Sequence, residues 1–222
     1  MKILKIALLV FGLVSGVFAG DIRIFIIQGL DANVESYWYP WLKSELSSEI
    51  GKAIKAENIT IPEMPKQADL QLWKDKIKEV VGNTDESTYF VTHGLSGIAL
   101  LKAIEENGKK VGGVVLVSGF VPPAQNVTQD ISSFANVQMD YKNIIKNINH
   151  ITIISTRDDK IAPYKLSEDL SDKLDAKFIL EQGGKIKLGE ADYVSPRIIY
   201  SETKAMVDAD LPKPEAKKEE KK

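Results

Sequence analysis

The residues with the means to do chemistry gather around one stretch, Tyr89 to Leu101, "YFVTHGLSGIALL". It reads as an apolar strand, a glycine-containing turn and an apolar helix, the pattern that lifts a nucleophilic side chain onto a sharp strand-to-helix turn. The turn holds Gly94, which has no side chain, and the nearest hydroxyl is that of Ser96. Gly94-Leu95-Ser96 would open a G-x-S-x-G frame, but the second glycine would have to be residue 98, which is Ile98. The simpler place for Ser96 is the first helical turn, where a hydroxyl helps satisfy N–H groups that have no partner in the helix. A base is equally hard to find. The chain has two histidines. His93 adjoins the turn with its side chain expected to point away from the cleft. His150 precedes a predicted strand, Ile151 to Thr156. Ligand chemistry in parallel sheets collects at the carboxyl ends of strands, and about five residues at ~3.3 Å each put His150 some 17 Å away from there.

The elements that must position these residues alternate. Apolar, β-branched runs at Asp21–Gln28, Ser87–His93, Gly113–Ser118 and Ile151–Thr156, with shorter ones at Asn58–Ile61 and Lys177–Leu180, are separated by segments of helical period. Trp38, Leu42, Leu46 and Ile50 recur every four residues, as do Leu166, Leu170 and Leu174, so each set lies on one helical face and is expected to pack the core. The alternation predicts an α/β fold of three layers, a mostly parallel central sheet flanked by helices.

Composition narrows the setting. The 222 residues, 44% hydrophobic, suffice for one domain with a two-sided core. With 29 Lys and Arg against 31 Asp and Glu there is no overall pull toward nucleic acid, and nucleic-acid partners are not expected. Residues 1–19 carry Lys2 and Lys5, an apolar run from Ile6 to Val17 and small residues at "VFA", the marks of a signal peptide cleaved after Ala19. A periplasmic or secreted bacterial protein with no membrane span after cleavage is the expectation, and the absence of cysteine excludes disulfides and thiolate metal sites. The domain is expected over residues 20–209, and residues 210–222, with mixed charge and two prolines, are expected to form a disordered tail.

Five segments in order, "QGLDANVESYWYPWL" (Gln28–Leu42), "IPEMPKQADLQLW" (Ile61–Trp73), "VTHGLSGIALL", "VLVSGF" (Val115–Phe120) and "STRDDKIAP" (Ser155–Pro163), resemble the small YdeN-like serine hydrolases, a family that includes a retinoblastoma-binding serine hydrolase and has a compact α/β-hydrolase fold. The likeness spans Ile22 to about Tyr200. It implies a nucleophile at the elbow, an acid after a later strand and a histidine after the last. Aligned on the family's G-H-S-L-G elbow, "THGLSG" puts Gly94 at the nucleophile position. "DDKIAP" puts the acid at Asp159, beside Asp158, and "GGKI" puts Lys185 where the histidine belongs. The first loop, opened by His-Gly in the family, begins here with Gln28-Gly29.

With no intact triad at Gly94, Asp159 and Lys185, the expectation is a catalytically inactive relative that binds a small acidic ligand or a protein partner. Backbone N–H groups of Leu95 and of the first loop near Leu30 would serve as donors, with Gln28, Gly29 and Trp38 beside them, Tyr39 completing an apolar wall, and neither cofactor nor metal. A Lys185–Asp159 contact is expected to replace the histidine–acid pair. Two other readings are an active esterase in which Ser96 attacks with Lys185 and Asp159, as Ser–Lys pairs can, and an envelope interaction protein whose pocket is irrelevant. Lysine is a poor base unless burial lowers its pKa from about 10.4, and a neighbouring carboxylate pushes it the other way.

Overall fold

The computed structural model describes residues 21–49, 54–120, 130–183 and 194–211. In chain order they form β1 (Arg23–Ile27), α1 (Tyr39–Glu49), β2 (Ile59–Thr60), α2 (Leu70–Val81), β3 (Thr88–His93), α3 (Leu95–Asn107), β4 (Val111–Val117), two short helices α4 (Ser132–Ala135) and α5 (Tyr141–Lys146), β5 (Ile148–Thr156), α6 (Tyr164–Leu174), β6 (Lys177–Glu181) and α7 (Pro196–Asp210). Each strand expected from its β-branched run is present, and all six join one sheet in the order β2-β1-β3-β4-β5-β6. Every neighbouring pair is parallel. β5 begins three residues earlier than the apolar run suggests, at Ile148, which places His150 inside the strand.

Strand alternation sends side chains to both faces, and both are covered. On one face Phe25, Ile27, Phe90 and Leu116 pack with Trp73 and Ile77 of α2, Leu100 and Ile104 of α3, and Leu170 and Leu174 of α6. On the other, Ile24, Ile26, Val91 and Val115 pack with Trp38, Leu42 and Leu46 at α1 and with Ile199 and Val207 of α7. The expected three layers follow, and the periodic sets on α1 and α6 are core; Ile50 lies outside the described residues. Burying one such side chain stabilises the fold by about 1.5–3 kcal/mol.

Helix ends use local chemistry. The Asp69 side chain accepts the Leu72 N–H at 2.9 Å to start α2. The last helix differs from the sequence reading: α7 runs through Asp210, the first residue of the expected tail. Asp210 is held because its carboxylate accepts the Tyr89 hydroxyl at 2.7 Å and pairs with His150 Nε2 at 2.9 Å. Burial, then the Asp210 carboxylate, pushes the Tyr89 phenol well above its ordinary pKa. Residues 212–222 and 1–20, the rest of the tail and the signal segment, lie outside the described residues.

Candidate active site and its altered elbow

The sheet order turns outward in both directions from the β1–β3 junction, and in open α/β sheets ligands bind beyond the carboxyl ends of strands at such a switch point. Register pairs Ile27 with Thr92, so the chain leaves both strands at the same level, at Gln28-Gly29 and at His93-Gly94. Gly94 sits at φ 60°, ψ −122° and starts α3, a conformation that costs about 1–3 kcal/mol for a residue with a side chain and little for glycine. A Cβ built there meets nothing within 4 Å among the described residues. The strand, the positive-φ glycine and the helix together form an elbow.

Ser96 is fully buried. Its Oγ accepts the His93 N–H at 3.0 Å, and its single proton is shared between the carbonyls of Ile27 at 3.1 Å and His93 at 3.0 Å. The hydroxyl sits in the first turn of α3, but the N–H it accepts is that of His93, the last residue of β3, not one of the helix's own unpaired groups, and it also reaches the end of β1.

His93 turns to the α1 side of the sheet. Its ring lies 5.5 Å from that of Tyr37, 5.9 Å from Trp38 and 6.0 Å from Tyr39, centroid to centroid, and its Nδ1 is 2.8 Å from the Tyr39 hydroxyl. That hydroxyl accepts the Gly29 N–H at 3.0 Å. Gly29 can only be glycine without rearrangement, because a Cβ would lie 3.0 Å from the His93 carbonyl oxygen and 3.1 Å from Nδ1. Trp38 and Tyr39 are fully buried. Tyr39 had been expected only as an apolar wall, and its polar role shows in the sequence only as a buried phenol in need of a partner.

Between Gly29 and α1 the chain is locally strained. Asp31 and Tyr37 adopt φ of 60° and 56°, uncommon for residues with a side chain and more so for a bulky one. The Asn33 N–H bonds Ser36 Oγ at 2.9 Å, and Asn33 Oδ1 accepts the Glu35 N–H at 2.9 Å. The two N–H groups expected to act as donors, those of Leu30 and Leu95, are taken up by no hydrogen bond among the described residues. Gln28 is 2% exposed, and among the described residues its Oε1 has no hydrogen-bond partner, nor does Nε1 of the fully buried Trp38.

On the acid loop, Asp159 Oδ1 accepts the N–H groups of Ile161 at 2.9 Å and Ala162 at 2.8 Å. Its neighbour Asp158 lays its carboxylate over the Cα of Gly183, on the approach to residues 184–193. The expected Lys185–Asp159 contact lies outside the described residues. Glu181, at the end of β6, accepts the Ser195 N–H at 2.6 Å, just before α7. His150 belongs to the opposite end of the sheet, with Asp210. No group of three His, Cys, Asp or Glu side chains suited to a metal ion occurs among the described residues.

Relatives share this framework. YdeN of Bacillus subtilis, which carries the name of a hydrolase, is 31% identical over 180 residues, 80% of this chain and 92% of its own. The serine hydrolase RBBP9 of Rattus norvegicus is 25% identical over 140 residues, 63% of this chain and 72% of that protein. The crystal structure of B. subtilis YdeN superposes with a TM-score of 0.74 at 29% identity, covering 84% of this chain and 98% of that one. Est1E from Butyrivibrio proteoclasticus, at 14% identity and TM-score 0.63, covers 86% of this chain and 88% of its own and shares the fold. The serine hydrolase family profile matches residues 24–193, three-quarters of the sequence and every described strand but for the first residue of β1, so the chain belongs to the serine hydrolase family, with an α/β-hydrolase fold.

Proposed function

We propose that this protein is a non-hydrolysing member of its family, exported from the cell, that uses the retained elbow as a binding site for a small carboxylate. The observation that carries the reading is Gly94: the backbone holds the nucleophile's conformation while the position has no atom that can attack a carbonyl. Covalent catalysis at that position is closed, and among the described residues the donors that would stabilise an oxyanion, at Leu30 and Leu95, are taken up by no hydrogen bond. A carboxylate fits what remains. It is anionic, like the oxyanion it replaces, and it benefits from the positive end of the 13-residue α3.

The competing esterase through Ser96 is disfavoured by that hydroxyl's complete burial and its commitment to backbone groups on both sides. Lys185 in place of a histidine works against it too, as does the distance of His150 from the elbow. The export assignment rests on the amino-terminal sequence alone.

A fluorophosphonate probe and a carboxylate titration test the two halves together. The wild-type protein is expected to resist labelling, and phenylacetate is expected to shift the amide resonances of Leu30 and Leu95. Ser96-dependent labelling of the folded protein would overturn the reading. As a positive control for the elbow, G94S combined with K185H is expected to acquire labelling, because a Cβ at position 94 meets no obstruction.

A further inference from the structure

The end of β1 with the first loop and the end of β3 are tied together twice, once on each face of the sheet, by the side chains of Ser96 and Tyr39. On the face covered by α2 and α3, Ser96 Oγ joins the Ile27 carbonyl to the backbone N–H of His93. On the face covered by α1, Tyr39 Oη joins the backbone N–H of Gly29 to the ring of His93. Both ties bridge the same short segments, residues 27–29 and residue 93, and both bridging residues are fully buried. The close seat of Gly29 against the His93 carbonyl and Nδ1 shows how tightly the two segments approach.

From this arrangement we infer that Ser96 and Tyr39 are positioning residues, a two-sided brace that locks the first-loop donor and the elbow donor into one rigid cradle. The inference deepens the carboxylate-site reading and rests on it for its functional consequence. The chemistry supports the assignment. Tyr39 occupies the Gly29 N–H, so Leu30 supplies the next free donor of the loop. Ser96 spends its proton on Ile27 and His93 and so fixes the level of the turn from which Leu95 presents its N–H. Buried hydroxyls bonded to backbone groups hold geometry more firmly than exposed ones, because no water waits to replace the lost partner. Since both ties hold one unit, removing either should loosen it, and removing both should add little.

Y39F, S96A and the double variant test this by amide hydrogen exchange and by titration with phenylacetate. In Y39F the Gly29 amide is expected to exchange at least about ten-fold faster, while amides in the middle of β4, such as Val115, keep their wild-type rates; general destabilisation would speed both. Each single variant is expected to weaken phenylacetate binding about five-fold or more, and the double variant by much less than the product of the two. Full multiplication of the losses, or unchanged Gly29 exchange in Y39F, would overturn the brace. Absence of any phenylacetate response in the wild-type protein would overturn the carboxylate reading alone, since the exchange experiment still decides the brace. The two residues lie on opposite faces, so either variant suffices if the other does not fold.

Discussion

Each end of the sheet carries a tyrosine–histidine arrangement, and the two are built to opposite purposes. At the amino ends of the strands, Tyr89 and His150 both turn to the Asp210 carboxylate, and a charged acceptor closes the cluster. At the carboxyl ends, Tyr39 and His93 turn to each other and to the backbone of Gly29, and the N–H groups of Leu30 and Leu95 have no hydrogen bond among the described residues. The first cluster fastens α7 to the sheet. The second fastens two loops to each other while leaving donors over. The proposed carboxylate site would use the second cluster, and the first has its acceptor within the protein.

Breaking the closed cluster should have the largest effect on stability. D210A removes a charged acceptor from the largely buried Tyr89 hydroxyl and from His150, and is expected to cost about 3 kcal/mol, read from chemical denaturation, with little change in phenylacetate affinity. At the open end, G94A tests the elbow's backbone: a side chain at φ 60° should cost about 2 kcal/mol even though the added methyl meets no neighbour. An unchanged midpoint would mean that the elbow relaxes without strain. A smaller loss, about 1 kcal/mol, is expected for G29A, whose methyl would press on His93; unlike D210A it should weaken phenylacetate binding, which calorimetry can read.

The two clusters should also differ in alkali. The Tyr89 phenol is raised in the folded state, by burial first and by Asp210 second. A group whose folded pKa lies above its unfolded value, about 10 for tyrosine, contributes stability that is complete below that unfolded value and is lost as pH rises through the folded one. Denaturation midpoints are therefore expected to fall above about pH 10 in the wild-type protein and to fall less steeply in Y89F. An identical alkaline slope in the two proteins would remove Tyr89 from this account.

Much of this was legible in the residues. The six strands follow from β-branched runs, because a strand buried on both faces needs apolar side chains at successive positions. The covered faces of α1 and α6 follow from four-residue spacing. The altered elbow is equally local, since a strand, a glycine and a helix in immediate succession leave the chain few ways to turn. What could not be read locally was which polar groups meet. Asp210 resembles a charged tail when judged by its neighbours, yet it bonds a tyrosine 121 residues away. The polar use of Tyr39 depends on a histidine 54 residues away.

Sequence alone therefore determined the layers and the glycine at the turn. Tertiary structure decided what Ser96 does. A hydroxyl two residues past the turn says nothing of its partners, and it is the register of β1 against β3 that brings the Ile27 carbonyl to Ser96 across 69 residues. Hydrogen bonds between distant segments obey geometry that strand pairing creates, and local patterns of apolar and polar residues do not contain it.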